Sequence, residues 1–259
     1  DRLLPHSGGG WVGVSSYVFF TCFSRGEMET LCIIPARGGS KGIPRKNVRL
    51  LAGKPLLAHA IEKAQASRYI SRVVISTDDG EIADVARRWG ADVVMRPAEL
   101  ATDTASSESA LLHTLDYLAE SEGYQPDVLV FIQCTAPLMS VEDVDGTVAA
   151  LLEKSADSAL AVAPFYHFVW REDEQGEAQA INHDKRVRPM RQQRDPQFWE
   201  PGAVYALRVD GFRQARFRFF GKTVLYVMPT KNASEIDEPL DFEMAEMVLR
   251  ARQAATAEK

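Results

Sequence analysis

A basic segment with three glycines follows the short apolar run at residues 31–34. Its sequence is Ile34-Pro35-Ala36-Arg37-Gly38-Gly39-Ser40-Lys41-Gly42-Ile43-Pro44-Arg45-Lys46-Asn47. Glycines let backbone N–H groups approach an anion closely, and Arg37 and Lys41 add positive charge that a triphosphate would neutralise. The segment matches neither the dinucleotide fingerprint nor the Walker pattern, because its glycine spacing differs and Pro44 interrupts the helix that both motifs require. The sequence therefore predicts a phosphate-binding loop of another type.

Two carboxylates stand at alternate positions near the other end of the chain. They are Glu235 and Asp237, and an extended backbone would place both side chains on one side. Mg²⁺ is commonly held by one or two carboxylates together with phosphate oxygens and water. We therefore expect this pair to form a Mg²⁺ site. Asp241 lies where a helix begins, so we expect it to act in helix initiation.

Two further polar segments each follow a predicted strand. The first runs from Arg96 to Ser107, where Ser106 or Ser107 is expected to cap a helix. The second is Gln133-Cys134-Thr135-Ala136-Pro137-Leu138, which carries an amide and a hydroxyl. We expect Arg96 and Gln133 to face a ligand.

Short β-rich runs alternate with helical stretches from Leu31 onward. The predicted strands are 31–34, 72–77, 92–95, 128–132, 158–163, 203–207 and 224–228, and the predicted helices are 55–66, 79–89, 107–120, 141–153 and one from about Pro239. This alternation indicates an α/β fold with a mainly parallel sheet and helices on both faces. Ligands of such folds bind at the carboxyl ends of the strands, where the polar segments above are expected to meet.

The alternation breaks between residues 165 and 200. This stretch holds several aromatic residues and then a polar, basic run, so we expect an insertion outside the main sheet. We expect residues 1–27 to be a disordered leader and residues 28–259 to form the folded domain. The apolar run from Trp11 to Phe23 has neither the basic flank nor the cleavage site of a secretory signal.

Charge and composition narrow the class of ligand. The net charge of -6 argues against nucleic acid as a partner. Two local groups of basic residues nevertheless favour small anionic ligands, and the alternative is that they form solvated charged faces. The first group is Arg37, Lys41, Arg45, Lys46 and Arg49, and the second is Lys185, Arg186, Arg188, Arg191 and Arg194. Three scattered cysteines predict neither a disulfide framework nor a thiolate metal site, and they favour the reducing cytoplasm. No apolar run is long enough to predict a membrane-spanning helix.

The loop from Ile34 to Asn47 resembles that of the acylneuraminate cytidylyltransferases, also called the CMP-sialic acid synthetase family. The similarity extends over about residues 31–249. It implies a Rossmann-like cytidylyltransferase domain, a homodimer formed through a small protruding segment at 165–200, and transfer of CMP from CTP to the anomeric hydroxyl of a nonulosonic sugar acid. The implied nucleotide-binding residues are Arg37, Gly38, Gly39, Ser40, Lys41, Lys46, Asn47 and Arg96; the implied sugar-binding residues are Gln133, Arg188, Arg191 and Gln192.

The same resemblance suggests how catalysis works. Arg37, Lys41 and Mg²⁺ held by Asp237 would neutralise charge that develops during phosphoryl transfer. We identify no obvious protein general base in the sequence.

Three positions depart from the family pattern. Glu235 stands where the family has aspartate, Pro201 stands where asparagine is usual, and Trp199 stands where some members carry arginine. The acceptor is therefore left open among sialic, pseudaminic and legionaminic acid types and deaminated relatives. Two other hypotheses remain: a cytidylyltransferase for the eight-carbon acid Kdo, and a catalytically silent CTP-binding protein.

Overall fold

The computed structural model describes residues 28–257. Our expectation for residues 1–27 lies outside the described residues. The strands are β1 (Thr30–Pro35), β2 (Leu50–Leu51), β3 (Lys54–Pro55), β4 (Arg72–Thr77), β5 (Asp92–Met95), β6 (Val128–Ile132), β7 (Ser158–Phe165), β8 (Trp170–Glu172), β9 (Ala178–Ala180), β10 (Gln197–Trp199), β11 (Val204–Arg208) and β12 (Thr223–Val227).

The helices alternate with these strands over most of the described chain. They are α1 (Leu56–Ala66), α2 (Gly80–Arg88), α3 (Ser107–Glu122), α4 (Val141–Glu153), α5 (Val209–Ala215) and α6 (Pro239–Ala257). Short 3-10 turns occur at Lys46–Val48, Ala98–Leu100, Arg191–Gln193 and Thr230–Asn232. Between residues 28 and 257, no helix is both long and apolar enough to span a bilayer.

The main sheet has the order β10-β7-β11-β6-β1-β4-β5, and β12 also pairs with β7. The pairs β6-β1, β1-β4 and β4-β5 are parallel, whereas β11 runs antiparallel to β6 and β7. Ile33 of β1 stands between Val74 of β4 and Phe131 of β6. The predicted mainly parallel sheet is confirmed, and four strands end at one edge.

Alternate residues of β1 pack into two different apolar clusters. Cys32 and Ile34 belong to the cluster that contains side chains of α1, α2 and α4, whereas Leu31 and Ile33 belong to the cluster with α3 and α5. Successive side chains of a strand point to opposite faces, so both faces of the sheet are covered. This confirms the predicted placement of helices on both faces.

Capping residues set the helix boundaries close to the predicted ones. The Asp79 carboxylate accepts the N–H of Ile82 at 2.9 Å and caps α2, and Gly90 follows that helix at a φ of 77°. The Ser106 hydroxyl accepts the N–H of Ser109 at 3.2 Å, so Ser106 caps α3 and Ser107 is its first residue. The predicted cap at Ser106 is confirmed, and the Asp79 cap is a further local feature of the same kind.

One helix was not predicted, and the predicted insertion has different bounds. The short helix α5 was not predicted, because its seven residues include Gly211 and carry little apolar periodicity. The expected insertion at 165–200 is also narrower, since Phe165 pairs with Gln197 and Trp199 pairs with Ala163 within the main sheet. Residues 166–196 lie outside that sheet and contain the β8-β9 hairpin.

Candidate active site

A pocket of about 410 Å³ lies at the edge where β1, β5 and β6 end. Its wall is formed by the loops after these strands and by the segment before α6. The predicted site residues that line it are Arg37, Ser40, Lys41, Lys46, Asn47, Arg96, Gln133 and Asp237. Segments from widely separated parts of the sequence therefore share one cavity.

The glycines of the loop after β1 allow close packing against protein neighbours. A Cβ on Gly38 would lie 2.8 Å from Oδ2 of Asp79, and a Cβ on Gly42 would overlap the carbonyl oxygen of Asp237. A Cβ on Gly39, in contrast, would meet nothing within 4 Å. Gly42 is thus required by a backbone contact that the sequence did not indicate, whereas Gly38 packs against the Asp79 side chain and donates its N–H to Oδ1 of Asp78 at 3.0 Å.

Arg45 anchors the same loop to the start of α2. Its backbone is left-handed at a φ of 56°, and its guanidinium donates to both carboxylate oxygens of Asp79, at 2.6 and 3.0 Å. This forked ion pair holds the pKa of Asp79 at about 2. Arg45 also pairs with Glu81. The Arg45 guanidinium is therefore paired with carboxylates at the start of α2, and Arg45 does not line the pocket.

Lys46 and Asn47 tie the loop to two other segments. The Lys46 amine donates to the carbonyl oxygen of Ile236 at 2.6 Å and lies 3.9 Å from Oδ1 of Asp237. The Asn47 amide donates to the carbonyl of Arg37 at 2.9 Å and accepts from Sγ of Cys134 at 3.0 Å. Both side chains position the loop; direct contact with a nucleotide stays a prediction.

Arg96 is a buried cation in the pocket wall, with 8% of its surface exposed. Burial lowers the pKa of its guanidinium, the charge of Asp78 opposes this, and arginine remains protonated at neutral pH. Its Nε has no hydrogen-bond partner among the described residues, and neither has the hydroxyl of Thr135, which also lines the pocket. Unpaired buried polar atoms are uncommon, so both mark this wall of the pocket as polar and incompletely hydrogen-bonded.

The two carboxylates near the end of the chain take different positions. Asp237 lines the pocket with 70% of its side chain exposed. Glu235 does not line it; a Cβ on Gly202 would lie 3.3 Å from both Oε1 of Glu235 and Oε1 of Gln133. Partial desolvation raises the pKa of Glu235, and the charge of Asp237 adds to this effect. Glu235 and Gln133 thus flank the same glycine beside the pocket.

Asp241 behaves as the sequence predicts. Its carboxylate accepts the backbone N–H groups of Asp237 at 3.0 Å and of Glu238 at 2.8 Å, just before α6 begins. This confirms its role in helix initiation and fixes the backbone that carries Asp237.

The carboxylates near the pocket form a sparse donor set for Mg²⁺. Within residues 28–257, no cluster of three or more histidine, cysteine, aspartate or glutamate side chains is arranged to hold a metal. Mg²⁺ does not require such a cluster when phosphate oxygens and water complete its octahedron. The carboxylate of Asp237, which faces the cationic pocket, fits a metal shared with a bound nucleotide.

The predicted sugar-binding residues of the 165–200 stretch do not reach the pocket within one chain. The Arg188 guanidinium lies 4.7 Å from the ring centre of Phe168, and that of Arg191 lies 3.4 Å from the ring centre of Tyr166. Gln192 contacts Met190 at 3.7 Å. All three predicted side chains are exposed, and their role stays a prediction.

Several pocket residues were missed by the sequence analysis. Thr102 and Asp103 follow the 3-10 turn after β5 and contact Arg37, while Phe131 and Thr135 lie on either side of Gln133 along the chain. The sequence did not predict that Asp103 contacts Arg37 and Lys41. Such a contact joins segments that are far apart in sequence, and neither segment alone indicates it.

A mainly parallel sheet with a cationic pocket at the carboxyl ends of its strands places the chain among the α/β proteins whose ligand site lies at that edge. A family model described as cytidylyltransferase matches residues 31–224. The chain is 34% identical over 224 residues to N-acylneuraminate cytidylyltransferase A of Danio rerio, covering 84% of this chain and 50% of that protein. It is 30% identical over 226 residues to the pseudaminic acid cytidylyltransferase of Campylobacter jejuni, covering 86% of this chain and 97% of that protein.

The chain belongs to the cytidylyltransferase family, which confirms the resemblance seen in the loop after β1. It spans about half the length of the Danio rerio relative. A solved structure of CMP:2-keto-3-deoxy-manno-octonic acid synthetase complexed with CTP has the same fold, with a TM-score of 0.65, 16% identity and coverage of 86% of this chain and 99% of that one.

Gly42→Ala is expected to destabilise the protein, because the new methyl group overlaps the Asp237 carbonyl and forces two segments apart. Overpacking of this kind costs about 1–3 kcal/mol. Gly39→Ala is the matched control and should change the free energy of unfolding by less than about 0.5 kcal/mol. Chemical denaturation of both variants measures the difference, and equal stabilities would contradict the proposed contact.

Proposed function

We propose that this chain transfers CMP from CTP to the anomeric hydroxyl of a nonulosonic, sialic-acid-like sugar acid and releases pyrophosphate. The observation that carries the proposal is the pocket that brings Arg37, Lys41, Lys46 and Arg96 together with the carboxylate of Asp237. The names of the relatives support the same reaction and acceptor class. The pocket volume of about 410 Å³ also lies within the range of small-ligand sites.

The pocket residues suggest how CTP is bound and oriented. Arg37 and Lys41 would hold the phosphate chain, and Arg96 in the pocket wall would face the nucleoside end. The anomeric oxygen then forms a bond to the α-phosphorus, the bond from that phosphorus to the bridging oxygen breaks, and pyrophosphate leaves with the bonding electrons. The proton of the hydroxyl passes to solvent water in the same reaction. Fixed cations stabilise the charge that gathers on the phosphate oxygens.

Asp237 would hold Mg²⁺ in this scheme, and Glu235 would support it at longer range. When bound, the metal would supply further neutralisation of phosphate charge. Lys46 keeps the Asp237 backbone in place through its hydrogen bond to Ile236. Gln133, which lies beside Glu235 at Gly202, would face the sugar.

An acceptor panel tests the function. Purified protein with CTP, Mg²⁺ and sialic, pseudaminic, legionaminic, deaminated or Kdo acceptors is expected to release pyrophosphate with at least one nine-carbon acid. Replacing CTP with UTP or ATP should reduce turnover strongly. Turnover with Kdo alone would establish the eight-carbon alternative, and CTP binding without turnover on any acceptor would indicate a silent binding protein.

Asp237→Ala should lower kcat by at least about 100-fold, the loss typical of removing a group that stabilises transition-state charge. The melting temperature should stay close to that of the wild type, because this carboxylate is exposed. Glu238→Ala, a neighbouring exposed carboxylate outside the pocket, is the control and should keep its activity. Glu235→Asp should retain or raise activity. A near-normal kcat for Asp237→Ala would show that the metal is held elsewhere.

We also propose that the chain forms a homodimer through residues 165–200. Apolar side chains there are exposed in the isolated chain, including Trp170 at 49%, Val187 at 57% and Met190 at 58%, and a partner would bury them. Arg188, Arg191 and Gln192 would then reach a neighbouring pocket. A cytoplasmic location stays a prediction.

Sedimentation should give a mass of about twice 28.8 kDa at micromolar concentration. Met190→Glu should shift the protein towards monomer, since it places a charge in the expected interface. Met247→Glu on α6 alters a methionine that is even more exposed, at 72%, and should leave the dimer intact. A monomeric wild type, or a dimer broken only by Met247→Glu, would contradict this interface.

A further inference from the structure

The two cations expected to bind phosphate are already bound to a carboxylate of the protein. Oδ1 of Asp103 lies 3.0 Å from Nη2 of Arg37, and Oδ2 lies 2.6 Å from Nζ of Lys41. The carbonyl oxygen of Thr102 accepts a second hydrogen bond from Arg37 at 2.8 Å. The turn between β5 and α3 thus supplies three oxygens, two of a carboxylate and one of a carbonyl, where a phosphate would supply its own.

This bridge is charged but exchangeable. The hydrogen bond from Lys41 holds the pKa of Asp103 below its usual range, so the carboxylate is ionised at neutral pH. About half of the Asp103 side chain and 75% of the Lys41 side chain are exposed. An exposed ion pair changes an equilibrium constant by at most about fivefold. An incoming anion of higher charge can therefore displace the Asp103 carboxylate from Arg37 and Lys41.

We propose that Asp103 is an internal competitor of the nucleotide's phosphate chain and sets the affinity of the pocket for polyphosphates. This inference rests on the proposed function, because it takes Arg37 and Lys41 as the phosphate-binding cations. In the empty pocket Asp103 holds the two cations side by side and offsets their repulsion. When a triphosphate binds, its oxygens replace the carboxylate on both cations, and when pyrophosphate leaves, the carboxylate returns.

The competition has a consequence for turnover. A pocket built only of cations would bind the pyrophosphate product tightly, since it carries the same kind of oxygens as the substrate. An internal carboxylate weakens the binding of every anion that must displace it. Asp103 therefore favours product release at the cost of weaker CTP binding.

Titration calorimetry with CTP and with inorganic pyrophosphate tests this role in the full chain. Asp103→Asn keeps the shape of the side chain and removes its charge, and it should lower the Kd of both ligands by about 3- to 10-fold. Glu99→Gln is the matched control: it removes the same charge from an exposed side chain four residues away that has no ion pair with Arg37 or Lys41. Its Kd values should stay within about twofold of the wild type.

Each outcome has a distinct meaning. A gain in affinity cannot come from damage to the fold, so tighter binding by Asp103→Asn alone supports the competitor role. Unchanged or weaker binding by Asp103→Asn would overturn it, as would an equal gain in Glu99→Gln. Wild-type protein that binds pyrophosphate but not CTP would contradict the proposed function while leaving the role of Asp103 to be judged from the pyrophosphate titration.

Discussion

The close contact between Gly42 and the backbone of Asp237 is the constraint on which the rest of the site depends. It brings the loop after β1 against a segment almost two hundred positions further along the chain, and only a residue without a side chain permits it. Lys46 reinforces the contact through Ile236. Ile43 and Ile236 also share an apolar cluster with α6. Cations and carboxylate meet in one pocket because these segments are packed together.

The positive charges of the pocket are each balanced by an acid of the protein. Arg37 and Lys41 contact Asp103, Lys46 lies near Asp237, and the charge of Asp78 stabilises protonated Arg96. Four cations gathered in one cavity would otherwise repel one another and lose solvation. The same acids determine how strongly an anionic ligand is bound, because the ligand must interact with the cations more favourably than the carboxylates of the protein do.

The turn after β6 is supported from behind by a second set of charged groups. Lys63 donates to the carbonyl of Pro137, and Arg252 of α6 donates to that of Leu138 at 2.8 Å. Burial and the charge of Arg252 lower the pKa of Lys63 to about 8. Ile236 donates to the carbonyl of Thr135 at 2.9 Å. These contacts hold Gln133 and Thr135 at the pocket wall, and they give α6 a direct role in shaping the site.

The sequence by itself determined seven of the eight strands of the main sheet, five of the six helices of the described residues, the cap of α3 and the family, because strand periodicity, capping serines and a glycine-rich basic loop are all local patterns. Tertiary structure alone decided the rest. Arg45 faces Asp79 rather than the pocket, Gly42 serves a packing contact, and Asp103 bridges Arg37 and Lys41. Such pairings depend on how distant segments pack together in the folded chain. The residue types along one segment do not indicate which residue of another segment will contact it.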